Sequence, residues 1–173
     1  MAQALMITRK DLVTFTSANG SLDPDKFLFF IKNAQIIQIQ NYLGTDLYNS
    51  IQDMIKNNTL TPEDNPNYHA LTENYIKDCL IYWAFVEFLP FAGVNITNSG
   101  IFSQQPENAV ALDKDRVDFL IQKTRSTAEY FTNRLVDYLC DNANTLFPEY
   151  YTNTGSDINP DTSLAAFSGW VLN

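Results

Sequence analysis

The sequence predicts an all-α protein: a bundle of about four to five helices, with a small β-hairpin or extended excursion and an extended C-terminal arm. Three observations carry that prediction. Apolar residues recur at helical spacing through four separate stretches. Helix starts and stops are marked by Asp23-Pro24, Leu43-Gly44-Thr45 and Pro90. One stretch only, around Val94 to Phe102, changes to a shorter period. The 173 residues are 45% hydrophobic and 18% charged. That suits one domain with enough apolar material for a core.

The elements follow in order. Thr8 is placed to cap a short helix over RKDLV, with Asp11 as the capping-box partner three residues on. TSANGSLDPDK reads as a loop. Asp23 then caps a helix over about 24–43 that opens on Pro24. At ~100° per residue, Phe27, Phe30, Ile31, Ala34 and Ile37 share one face. Phe29, Ile36, Ile39 and Leu43 fall on nearly the opposite face, so the helix is expected to be covered on both sides, within the domain or by a neighbouring subunit. Gly44 ends it, and Thr45 is expected to cap the next, whose stripe is Leu47, Ile51 and Met54 or Ile55.

NNTLTPEDNPN is a loop. A third helix is expected over about 68–89, with Leu71, Tyr75, Cys79, Tyr82 or Trp83, and Val86 at helical spacing. Its second half is apolar almost all round, as in a central buried helix. Pro90 stops it. Val94 and Ile96, then Ile101 and Phe102, flank Asn98-Ser99-Gly100 as a hairpin or extended loop, and the excursion runs through 94–108. The last long helix is expected over about 112–142. Val117, Leu120, Ile121, Thr124, Ala128, Phe131, Leu135, Tyr138 and Leu139 mark one face, and charges mark the other. LFPEYY ends it. Residues 1–151 are therefore expected to form the helical domain and 152–173 the arm.

The chemistry-bearing residues are sparse. His69 is the single histidine; with Glu73 it makes an i, i+4 pair without a third ligand, so no metal site is expected. No Gly-rich phosphate loop or nucleophile elbow occurs. Paired carboxylates such as Glu63/Asp64 and Asp113/Asp115 sit in loops or at helix starts, where the helix dipole explains them. No catalytic residue and no cofactor is expected, and the chain reads as a non-enzyme. Cys79 and Cys140 both read as small buried side chains in a reducing compartment. The longest apolar run, CLIYWAFV, is far short of the ~20 residues of a membrane span. No membrane partner is expected.

The net charge of −9, with 11 Lys and Arg, argues against phosphate-gripping nucleic-acid binding. Most aromatic residues are explained by helical packing. The tail DTSLAAFSGWVLN is not: an arm outside the core gains little from Phe167, Trp170, Val171 and Leu172 unless a partner buries them.

The run LMITRKDLVTFTSANGSLDPDKFLFFIKNAQIIQIQNYLGTDLYNSI resembles the opening of helical head–tail connector proteins of tailed bacteriophages. The matching positions are Ile7, Thr8, Asp11 and Leu12, then Ile31, Ala34, Gln35, Tyr42, Leu43, Gly44, Leu47 and Tyr48. YWAFVEFLPFAGVNITNSGI and NRLVDYLCDNANTLFPEYY resemble the second and third blocks of a subgroup from crAss-like and other phages of Bacteroidetes hosts. The resemblance implies a structural adaptor subunit that forms a ring under the portal, extends the DNA channel and gives the tail a platform. It implies copies of itself, the portal protein and a further neck or tail protein as partners. Packaged DNA would pass through the lumen without specific binding. The place implied is the virion neck, assembled in the host bacterial cytoplasm. Phe167, Trp170, Val171 and Leu172, and in the excursion Val94, Ile96, Ile101 and Phe102, are the expected protein-contact residues. Two other readings stand beside it: an acidic DNA-mimic inhibitor, and a small-ligand-binding domain with a pocket near Tyr82, Trp83 and Phe85.

Overall fold

The structure is a computed structural model that describes residues 3–17, 24–92, 94–97, 100–103, 113–152 and 157–163. For 24–26, 94–97 and 100–103 the backbone alone is described. The fold is all-α. Helix α1 (Arg9–Phe15) opens on the expected capping box: Asp11 N–H donates to the Thr8 hydroxyl, and Thr8 N–H donates to Asp11 Oδ2 at 2.8 Å. Burial pushes the Asp11 carboxyl up, but the two donors of Thr8, with the charges of Lys77 and Lys10, outweigh it and hold the group below its ordinary range.

Helix α2 (Pro24–Ala34) starts at the proline; Asp23, its expected cap, lies outside the described residues. It runs on through a π-turn, Gln35–Ile39, into α3 (Gln40–Leu43). The wider turn accommodates an extra residue. It carries Ile39 and Leu43 back toward the face of Phe27, Ile31 and Ala34, and all five are fully buried. This corrects the two-stripe expectation. Ile39 and Leu43 join the first stripe, while Phe29 at 59% and Ile37 at 55% face solvent.

Gly44 has φ +74 and ψ 160 and joins α3 to α4 (Thr45–Lys56). Thr45 does not cap α4: it is the first helical residue, and its hydroxyl accepts from Ile158 N–H at 3.0 Å. The third helix also contains a π-turn. It consists of α5 (Pro66–Leu71), the π-turn Thr72–Ile76, and α6 (Lys77–Phe88), followed by a 3-10 turn at Leu89–Phe91. It starts earlier than expected because Pro66 suits the first helical position. As expected, α6 is the central element: Cys79, Leu80, Ile81, Trp83, Ala84, Phe85, Val86 and Phe88 are buried along it. The backbones of β1 (Val94–Thr97) and β2 (Gly100–Ser103) pair antiparallel, with Ile96 opposite Ile101.

Helix α7 (Lys114–Leu146) is capped by Asp113, which accepts from Arg116 N–H at 2.9 Å. It packs along α6. Tyr75 stacks on Tyr138 and Tyr82 on Phe131, at centroid distances of 4.2 and 5.1 Å. Its core face begins at Ala128 and continues through Thr132, Leu135, Val136, Leu139 and Ala143. No residue from Lys114 to Thr127 is fully buried. The amphipathic stripe expected over the whole helix therefore packs fully only in its second half. Leu120 and Phe119 are exposed in the first.

Candidate protein-contact surface

The N-terminal residues are held by two buried glutamines. Gln35 Oε1 accepts from Met6 N–H at 2.9 Å, and its Nε2 donates to Ala4 C=O and to the Tyr48 hydroxyl, each at 2.9 Å. Gln52 completes the clamp by accepting from Ala4 N–H and donating to Ala4 C=O, both at 2.8 Å. Two amides thus satisfy a non-repetitive segment as a neighbouring strand would. Sequence reading missed this. The signal was a glutamine inside an otherwise apolar helical stretch, where a buried amide needs partners.

The described part of the arm turns back onto its own chain. Thr45 N–H donates to Ile158 C=O and Asp161 N–H to Asn41 C=O, both at 2.9 Å. Pro160 packs on Gly44. Beyond it, Asp161 accepts from the hydroxyl and N–H of Ser163, and these bonds hold its carboxyl below the ordinary range. The expectation that residues 152–173 leave the bundle as one extended arm is corrected for 157–163, because the free N–H of the first residue of α4 and the carbonyl of Asn41 take their partners there. Phe167, Trp170, Val171 and Leu172 lie outside the described residues. Of Val94, Ile96, Ile101 and Phe102 the backbone alone is described, within the paired strands, as is part of the excursion 94–108.

The surface offers two exposed apolar groups, the first of which includes Phe29 and Ile37 from the helix faces expected to be covered. Leu28, Phe29 and Ile37 are exposed on one helix, and Phe119, Leu120 and Tyr130 on α7. Near the expected ligand pocket, Tyr82 and Phe85 line an open cavity of about 210 Å³ with Phe15, Lys123 and Thr127. Trp83 belongs to the core instead. Its Nε1–H donates to the Thr132 hydroxyl at 2.9 Å, and Thr132 also meets Cys79 Sγ at 3.3 Å. Cys79 is buried as expected, and burial pushes its thiol up to about 12. Cys140 is exposed, a correction: it stands on the solvent side of α7.

Tyr68 donates to both carboxylate oxygens of Glu149, at 3.0 and 2.9 Å, and so fastens α5 to the turn after α7. Burial, with the Glu149 carboxylate beside it, pushes the Tyr68 hydroxyl up to about 12. Glu73 pairs with Lys77. Among the described residues no group of three or more His, Cys, Asp or Glu could hold a metal ion. Among them, too, no helix is long and apolar enough to cross a membrane.

A family model described as a family of unknown function (DUF6712) matches residues 39–160, more than half of the chain and a span that includes both Gly44 and Pro160. No curated protein and no solved structure matches the chain.

Proposed function

The chain belongs to DUF6712, a family of unknown function, and we propose, from its resemblance to connectors, that it is a structural virion protein, a head–tail connector subunit that assembles as a ring under the portal. The supporting observation is where the residues of the connector resemblance lie. Ile7, Leu12, Ile31, Ala34, Gln35, Leu43, Leu47 and Tyr48 are all buried, and all but Gln35 belong to one apolar cluster, which Gln35 contacts through the Tyr48 hydroxyl. The apolar positions of that run pack together, while Thr8 is exposed and Asp11 and Tyr42 are half-buried. A chain with exposed Leu28, Phe29 and Ile37 has side chains available to neighbours in a closed assembly. Its charge of −9 suits a channel wall past which DNA slides without sticking.

In this reading the portal protein binds one rim of the ring and a further neck or tail protein the other. With 157–163 fixed to the chain's own helices, the portal anchor is the segment 164–173, with Phe167 and Trp170 as its aromatic contacts. The test is co-assembly. Purified chain is mixed with portal protein and imaged by electron microscopy, and purified virions are searched for the chain by mass spectrometry. The expected result is a ring on the portal, a constant copy number per virion, and loss of portal binding on deleting 164–173. A chain absent from virions and indifferent to portal overturns the proposal.

A further inference from the structure

One solvent-facing stripe of α7 is self-complementary. Seven residues turn a helix through about 700°, some 20° short of two full turns. Arg116, Lys123, Tyr130 and Asp137 therefore lie in one row, with Phe119 and Ser126 beside them and Asp141 one turn beyond Asp137. All seven are exposed, Phe119 to 66% and Tyr130 to 61%. The row is basic toward the helix start and acidic toward its end, with the tyrosine between. The exceptions are Asp115, exposed one turn before Phe119, and Arg134, whose guanidinium lies over the rings of Tyr75 and Phe131, at 5.5 and 5.9 Å.

We infer that this stripe docks a second copy of the chain, with the two α7 helices antiparallel about a two-fold axis at Tyr130. A two-fold contact needs a surface complementary to itself under reversal. Here reversal about Tyr130 sets Lys123 of each copy opposite Asp137 of the partner copy, and the Arg116 end over the Asp141 end. Asp137 and Asp141 are like charges one turn apart, an arrangement that destabilises a lone helix and that facing cations relieve. Neither aspartate takes part in the ion pairs Lys56–Asp53 and Lys77–Glu73. Phe119 and Tyr130 lose their water exposure in the pair. The contact needs no portal and stands independently of the connector reading.

Sedimentation equilibrium of the full chain tests it. The mass should rise from 19.7 kDa toward twice that value with concentration and fall back with added salt. Lys123→Glu and Asp137→Lys should each weaken the pair at least about tenfold, since each sets like charges opposite one another. The double variant should recover it, because the swapped charges again face each other. In a Cys140→Ser background, Tyr130→Cys should form a disulfide-linked dimer on mild oxidation, while Arg125→Cys, on the other side of the helix, should not. A mass fixed at that of one chain overturns the inference. So does a double variant no better than the singles, or equal crosslinking at 125 and 130.

Discussion

Pro160 sits on Gly44 so closely that a Cβ built at residue 44 would come within 2.7 Å of the proline Cδ and Cγ. The same glycine has φ +74 and ψ 160, a conformation that side-chain-bearing residues scarcely adopt. One position thus meets two demands: the bend between α3 and α4, and the seat of the returning arm.

Gly44→Ala should destabilise the protein by about 2–4 kcal/mol, from backbone strain and the collision together. Urea unfolding of the variant, with and without residues 157–173, measures both parts. The cost should shrink in the truncated chain by the share due to Pro160. An equal cost in both backgrounds would show that the proline contact adds nothing.

Gln35→Ala should cost about 2–4 kcal/mol, because it leaves Met6 N–H without its acceptor and removes one donor each from Ala4 C=O and the Tyr48 hydroxyl. Amide exchange at Met6 should accelerate more than exchange in α6. A uniform change along the chain would mean that the clamp holds no segment in particular.

The two thiols should react at very different rates. Cys140 is exposed and Cys79 is fully buried, with its thiol pushed up to about 12 by burial. At neutral pH a thiol reagent should modify one sulfur quickly and the second only at the rate of unfolding. Rapid modification of both would contradict the packing of Cys79 against Thr132.

Alkaline stability should depend on Tyr68. Its folded hydroxyl titrates near 12, above its ordinary 10, so the neutral form is favoured by folding. That contribution is complete below pH 10 and is lost as pH rises from 10 through 12. Tyr68→Phe should lower stability at pH 8 and flatten the decline between pH 10 and 12. An unchanged slope would place the alkaline sensitivity on other groups.

Local signals in the sequence were read correctly where the governing contacts are local. Thr8 and Asp11 are three residues apart and cap each other within one turn. Gly44 marks a bend because its own backbone demands it. The burial of α6 follows from its composition, since a segment apolar all round has no face to give to water. The π-turns at Gln35–Ile39 and Thr72–Ile76 were not legible, because a fixed 100° step assigns Ile39 and Leu43 to the side that the structure leaves for Phe29 and Ile37. Cys140 was misplaced for a related reason: Tyr138 and Leu139 precede it on an amphipathic helix, yet it falls outside the arc that α6 covers.

The sequence by itself determined the all-α class, the main turns and the expectation of a connector, since these rest on residue types, spacings of three or four positions, and the order of motifs. The tertiary structure alone decided which faces of 24–43 are buried, where residues 157–163 return, and how much of the apolar stripe of α7 is covered. Those outcomes depend on contacts between residues up to 120 positions apart, such as Asp161 N–H on Asn41 C=O, and no local spacing records them.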